Sequence, residues 1–321
     1  MKTLKDTIHK LTIPTPYAVG DVHVYVLEGE AVTLIDAGVK TEEAWESMKK
    51  QLLELNITPE DIEQVVLTHH HPDHMGLVEN FPNVRRIAGH PKLKPWLERD
   101  SKFFDRYEQF FHDMYSEAGV PNEYFHLLKG LRKPLKWTAE GKLNIELLEG
   151  DPIPNHEEWR VIETPGHAQS HLSFFRQEDG ALIGGDHLLF HISSNPLLEP
   201  PFQPNEPRPK PLIQYRQSMK KLLAYPITTV YPGHGKTFNG VDELIEKRIL
   251  KQEERALKVK EMFVNGPLTA FQVCEQLFPK HITTQFGLTM SETIGQLDYL
   301  EETNQIEVNH QGRLKKYYVN R

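Results

Sequence analysis

A single cysteine, Cys274, excludes an internal disulfide and leaves no thiolate cluster, so any bound metal must be held by histidine and carboxylate. No uninterrupted apolar run approaches the roughly 20 residues a membrane span needs. The opening Met1-Lys2-Thr3-Leu4-Lys5-Asp6 lacks the apolar core of a signal peptide. The expectation is a cytoplasmic protein with no membrane partner. Positive charge is in deficit: 37 Lys and Arg against 45 Asp and Glu give a formal net charge of -8, which weighs against a polyanion as the main partner. With 38% hydrophobic and 26% charged residues over 321 positions, neither disorder nor a fibre is expected, and the length suits one large domain plus a small one.

Histidine, by contrast, is abundant, with 17 in all. Four metal-binding side chains crowd into Thr68-His69-His70-His71-Pro72-Asp73-His74-Met75-Gly76, directly after the apolar run Val65-Val66-Leu67, which reads as a short buried strand. His69 and His71 are two apart, so on extended backbone they point to one side and can grip one ion. Pro72 stops the strand, and Asp73 and His74 curl back as a second pair of ligands. One loop can therefore serve two cations.

Around this loop the pattern alternates between strand and helix, the mark of an α/β fold. Val22–Leu27 and Ala31–Asp36 form a hairpin about Glu28-Gly29-Glu30. Thr41 opens a helix whose Trp45, Met48, Leu52 and Leu55 make one buried stripe. Between about 92 and 140 lies a helical insertion rich in Phe and Tyr, including Phe103, Phe104, Tyr107, Phe110, Phe111, Met114 and Tyr115. It reads either as an amphipathic helix packed on a core or as an aromatic lid over a substrate pocket. Strands follow at Leu143–Leu148, Trp159–Glu163, Leu172–Phe175 and Ala181–Ile183, the last two joined at Glu178-Asp179-Gly180. Seven prolines between 195 and 211 make a stiff surface loop. A helix at Leu212–Ala224 and a strand at Ile227–Tyr231 complete a unit of residues 1–240, and a charged connector helix covers 241–264. Residues 265–321 read as helix, helix, hairpin, the order of a winged helix, with helices opening at Thr269-x-x-Gln272 and Thr289-x-x-Glu292.

Three further ligand positions lie just past strand ends in glycine-containing turns: Pro165-Gly166-His167, Gly184-Gly185-Asp186-His187 and Pro232-Gly233-His234-Gly235. Sorted by chemistry, His69, His71 and His167 make a three-nitrogen site, Asp73, His74 and His234 a mixed site, and Asp186 can bridge them. Imidazole and carboxylate in this ratio suit two Zn²⁺, with Mn²⁺ or Fe²⁺ as alternatives.

HxHxDH followed by His167, Asp186 and His234 resembles the metallo-β-lactamase superfamily of hydrolases, over roughly residues 8–240. The resemblance implies a four-layer αββα sandwich with a dinuclear centre along one edge, followed here by a small winged-helix domain like that of the lactamase-beta-like branch. Departures narrow the choice. His71 stands where oxygen-reducing flavodiiron relatives carry glutamate; Asp186 and the bare N-terminus count against antibiotic hydrolysis. A glyoxalase II would carry a helical C-terminal domain with basic groups, and RNA-processing relatives with an inserted cap are much longer.

The expected chemistry is hydrolysis of a small ester, thioester or lactone by a metal-bridging hydroxide, which Asp73 aligns. Asp36 and Thr68 are expected to orient the ligands. His70 and His187 either contact substrate or are hydrogen-bonded, and His23, His90, His171 and His191 are further pocket candidates. Phe190, Ser193, Ser194 and Asn195 would contribute to the pocket. Two alternatives stand beside this reading. RNA phosphodiester hydrolysis is disfavoured because Ser291–Thr303 carries Glu292, Asp298, Glu301 and Glu302 and no Lys or Arg, although Arg313, Lys315, Lys316 and Arg321 form a small basic tail. A persulfide dioxygenase would use a single iron and leave Asp73, His74 and His234 idle. The C-terminal unit then reads as a packing or dimerisation module, with a small molecule as the substrate.

Overall fold

In the computed structural model the described residues are 7–319, so Arg321 of the expected basic tail lies outside them. They gather into two compact units. The first takes in the chain up to Asp100, Lys133–Ser194 and Lys221–Val241; the second takes in Ser101–Arg132, Asn195–Lys220 and the chain from Asp242.

The first unit holds two sheets. Thr7–Ile13 (β1), Val22–Glu28 (β2), Val32–Ile35 (β3), Gln64–Val66 (β4), Arg86–Gly89 (β5) and Ile145–Glu146 (β6) follow one another in that order across one sheet. Pro152–Ile153 (β7), His156–Glu163 (β8), Leu172–Arg176 (β9), Ala181–Gly185 (β10) and Thr229–Pro232 (β11) make the other, in the order β11-β10-β9-β8-β7. Side chains alternate between two cores, as the pleat requires. Val24, Val26, Leu34 and Val65 face a cluster that includes Met48 and Leu52 of Glu42–Glu54 (α1). Tyr25, Leu27, Ile35 and Val66 face the opposite way and share a core with Trp159, Val161, Phe174 and Ile183 of the second sheet. The sheets therefore stack face to face, as the expected αββα class demands. Thr41 caps α1, its hydroxyl accepting from the Ala44 N–H at 3.1 Å.

Strand direction decides where the site can lie. β3 and β4 are parallel with Ile35 opposite Val66, and β10 and β11 are parallel with Gly185 opposite Pro232. Asp36 and the histidine loop thus leave one pair of neighbouring strand ends, and Asp186 and His234 leave the other. The short helices Pro72–Met75 (α2) and Lys94–Leu97 (α3) complete this unit; Pro72 stands in the first turn of α2, where its missing N–H costs nothing.

The second unit is helical with one small sheet. It contains Ser101–Glu117 (α4), most of Pro211–Leu222 (α5), nearly all of Val241–Glu261 (α6), Ala270–Leu277 (α7) and Phe286–Glu302 (α8). Leu268–Thr269 (β12), Glu307–Gln311 (β13) and Leu314–Tyr318 (β14) form its sheet, in the order β12-β14-β13. Expected boundaries at 1–240, 241–264 and 265–321 differ from this grouping, because the aromatic face of α4 is part of the C-terminal core. Phe111 and Tyr115 are buried with Phe271, Phe286 and Met290, and the Tyr115 and Phe286 rings meet at 5.1 Å. The aromatic segment packs as a core helix in this unit. The Thr269 box forms as expected, with Thr269 and Gln272 capping each other. The Thr289 box does not: α8 starts three residues earlier, and the Thr289 hydroxyl donates to the carbonyls of Gln285 and Phe286 inside it. Among the described residues no helix is long and apolar enough to cross a membrane.

Candidate metal centre

Seven side chains anticipated as ligands converge at the ends of these strands. Each of three groups brings its ligand atoms within 4.8 Å of one another: His69, His71 and His167; His69, His74 and Asp186; and Asp73, His74 and His234. His71 Nδ1 lies 3.0 Å from His69 Nε2 and 2.9 Å from His167 Nε2, so three imidazole nitrogens meet at one point. On the other side His234 Nε2 is 3.3 Å from Asp73 Oδ2. Asp186 faces both sides: Oδ1 is 3.4 Å from His74 Nε2, and Oδ2 is 3.6 Å from His167 Nε2 and 3.5 Å from His234 Nε2.

Four of the five imidazoles are held from behind. Asp36, at φ 66°, accepts from the Thr68 N–H at 2.8 Å and from the Thr68 hydroxyl, and its Oδ2 sits 2.8 Å from His74 Nδ1. Thr68 Oγ1 lies 2.9 Å from His69 Nδ1, Ser194 Oγ 2.9 Å from His167 Nδ1, and the Asp21 carbonyl 2.7 Å from His234 Nδ1. The partner on one ring nitrogen selects the tautomer and leaves the other nitrogen aimed into the cluster. Asp186 is itself fixed through its backbone, whose N–H donates to His171 Nε2 at 3.1 Å, while His171 Nδ1 meets Thr164 Oγ1 at 2.8 Å.

The fit to cations rests on what these groups lack. His74 Nε2, His234 Nε2 and Asp186 Oδ1 are buried and meet no hydrogen-bond partner, a costly state that a coordinated ion would relieve. Gly233 leaves the room: a Cβ there would stand 2.2 Å from Asp186 Oδ1 and 2.9 Å from His74 Cε1. Charge points the same way. Burial alone would lower the His74 pKa, but Asp186, Asp36 and Asp73 outweigh it and hold the imidazole well above its ordinary value. His234 is raised in the same manner by Asp186 and Asp73. Burial would raise Asp186, yet His234, His74 and His167 hold it well below the carboxylate range. Where carboxylates are few, the balance reverses: burial, then the neighbouring histidines, push His69 and His71 well down. Neutral imidazoles on one side and a carboxylate-rich pocket on the other are a donor set for two divalent ions.

The other histidines divide. His70 is buried, stacked on Trp96 at 4.1 Å and 11°, with Nδ1 2.9 Å from Ser170 Oγ, so it is a hydrogen-bonded structural group. His187 is fully buried and His191 exposed, its ring lying against Gly235. His23 holds the Gly235 carbonyl, His90 accepts from the Lys92 N–H, and His171 is the backbone support of Asp186. Phe190 and Ser193 are exposed, and Ser194 is buried against His167. The sequence does not point to the Asp21 carbonyl, because a backbone oxygen has no residue signature.

The family model of the metallo-beta-lactamase superfamily matches residues 17–234, which contain all seven clustered residues. The chain belongs to that superfamily. It is 44% identical over 299 residues to a "probable metallo-hydrolase" of Bacillus subtilis, covering 93% of either chain, and it is accordingly a metal-dependent hydrolase. A metallo-beta-lactamase family protein of Thermus thermophilus is similar in structure, with a TM-score of 0.80 at 26% identity over 98% of both chains. More distantly, an atrochrysone carboxyl ACP thioesterase of Aspergillus fumigatus is 23% identical over 50% of this chain and 51% of its own.

Proposed function

We propose that this superfamily member hydrolyses a small ester, thioester or lactone with the aid of two divalent cations, Zn²⁺ by preference. His69, His71 and His167 would hold one, Asp73, His74 and His234 the other, and Asp186 would serve both. The observation that carries this reading is the set of buried atoms on His74, His234 and Asp186 that make no hydrogen bond yet lie together within one cluster of candidate ligands. Bound there, two such cations supply Lewis acidity and lower the pKa of a water to about 7. The remaining work falls to the chain. Asp36, Thr68, Ser194 and the Asp21 carbonyl take the outer N–H of four imidazoles, so that each offers its inner nitrogen as a neutral lone pair. Asp73 aligns the attacking water by accepting its hydrogen and is the group that takes up its proton. The thioesterase relative supports the substrate class.

Nucleic acid is not favoured as a partner. Within α8, Glu292 pairs with Arg255 and Asp298 with Arg208, Glu302 pairs with Lys210, and the helix carries no cation of its own to meet phosphate. We read the C-terminal helices and sheet as a winged-helix packing module, and the protein as cytoplasmic with a small-molecule substrate. A single-iron oxygenase would have no use for the second group of Asp73, His74 and His234, which the fold nevertheless assembles.

The test is turnover of an ester, thioester, lactone, phosphodiester and persulfide panel by the wild type and by Asp73→Ala. We expect hydrolysis confined to the first three, reduced at least about 100-fold in the variant. Ester turnover undiminished in Asp73→Ala would overturn the role given to that carboxylate.

A further inference from the structure

His234 stands in the turn Pro232-Gly233-His234-Gly235, with a glycine on either side. Gly233 gives Asp186 its room, as described above, and Gly235 takes φ 82°, a backbone that favours glycine. Two glycines also leave the chain its widest choice of conformations, so a ligand between them has to be held from outside the turn.

β2 and the residue before it supply that hold. The Tyr25 hydroxyl donates to the Pro232 carbonyl at 2.7 Å, the His23 N–H donates to the Gly233 carbonyl at 2.6 Å, and the Asp21 carbonyl lies 2.7 Å from His234 Nδ1. Val22 and His234 pair as an isolated antiparallel bridge. His23 then makes a second contact with its buried ring, whose Nε2 lies 2.5 Å from the Gly235 carbonyl. A carbonyl only accepts, so Nε2 carries the ring proton. Nδ1 is left to accept from the hydroxyl of Thr12, 3.3 Å away and opposite His23 in the register of β1 and β2. One residue therefore grips the carbonyl before His234 with its main chain and the carbonyl after it with its side chain. Any residue at position 23 with a free N–H could make the first contact. The second needs a donor as far from Cα as Nε2.

We propose that His23 is a positioning residue for His234: its ring N–H fixes the Gly235 carbonyl and so holds the turn in the conformation that brings His234 Nε2 to within 3.3 Å of Asp73 and 3.5 Å of Asp186. This rests on the reading of Asp73, His74 and His234 as one ligand group. No bond breaks and no proton is transferred; a buried hydrogen bond removes freedom that the two glycines would otherwise leave.

Two amides test the idea, because they differ in reach and not in chemistry. His23→Gln places an amide nitrogen as far out as Nε2, whereas His23→Asn stops at the distance of Nδ1, near Thr12 and short of Gly235. His23→Phe fills the space with no donor. Zinc-loaded wild type and variants are competed against a chromophoric chelator, which reads two binding constants per chain, and His234→Ala identifies the constant that belongs to its group. In His23→Asn and His23→Phe that constant should weaken about 10-fold, the lower end for loss of a group that orients a ligand, while the other changes less than about 2-fold. His23→Gln should stay within about 3-fold of wild type at both. Adding His23→Asn to His234→Ala should cost nothing further, because the ring acts through that ligand. Circular dichroism confirms each fold, and the pair of amides decides the matter alone should His23→Phe not fold. Unchanged constants in His23→Asn, equal weakening of both, or a His23→Gln as weak as His23→Asn would each overturn the proposal. A wild type that binds fewer than two Zn²⁺ would instead overturn the ligand reading on which it rests.

Discussion

Asp36→Asn should weaken metal binding on the His74 side by about 10- to 100-fold without unfolding the protein. The substitution is nearly isosteric, and the left-handed backbone at Asp36, φ 66°, is one that asparagine adopts readily, so it adds no main-chain strain. What changes is chemistry. The carboxylate takes the Thr68 N–H at 2.8 Å, the Thr68 hydroxyl at 2.8 Å and the His74 Nδ1–H at 2.8 Å, with Asp36, Thr68 and His74 all buried. An amide oxygen can satisfy Thr68 or His74, but its NH₂ must then confront the other group. If it confronts His74, the ring is driven to the opposite tautomer and its inner nitrogen carries a proton in place of a lone pair. A charge-assisted hydrogen bond is worth about 1.5–3 kcal/mol, and loss of a partner behind a metal-binding histidine costs about 10- to 100-fold in affinity; the two estimates agree near 2 kcal/mol. Chelator competition on metal-free protein measures the affinity, and circular dichroism confirms the fold. Both affinities within a factor of two of wild type would refute the argument that Asp36 sets the His74 tautomer.

Two further outcomes follow from the same geometry. Gly233→Ala should abolish metal binding at the carboxylate-rich side, since its Cβ would fall 2.2 Å from Asp186 Oδ1; elemental analysis of the purified variant checks this, and full occupancy would contradict it. His90, which is not among the clustered residues, supplies a pH dependence of its own. Burial, then Lys92, lower its pKa to about 4, below its unfolded value near 6.5, so the unfolded chain takes up the proton first as pH falls. Its contribution to stability is intact above about pH 6.5 and is lost progressively down to about pH 4, by at most about 3 kcal/mol. His90→Asn, which keeps an acceptor for the Lys92 N–H, should flatten the stability profile of the metal-free protein across that window; an unchanged slope in denaturant unfolding would count against it.

Much of the centre could be read from the chain because its residues obey local rules. His69 and His71 follow a strand, where a spacing of two means one side, and His167, Asp186 and His234 each stand after a glycine at a strand end. The two cores of the first unit follow from the same period of two, as with Leu34 facing one way and Ile35 the other. Other features have no local signature. Strands of two residues, such as β6, β7 and β12, are too short to show any period. Helical periodicity in α4 marks which face is apolar but not what covers it, and the answer lay more than 150 residues away at Phe271 and Phe286. Thr289 matched a capping box, yet the apolar Phe286 and Met290 carry the helix past it into the core. The supports behind the ligands, Ser194 for His167 and the Asp21 carbonyl for His234, join residues 27 and 213 positions apart, and only the fold brings them together.

The measurement closest to the central claim is the number of metal ions per chain, by elemental analysis of wild type and of a variant in which Asp73 and His234 are both replaced by alanine. Two per wild-type chain and one per variant chain are predicted. A wild type that saturates at one ion, or a variant that still holds two, would contradict the division of these seven side chains into two sites.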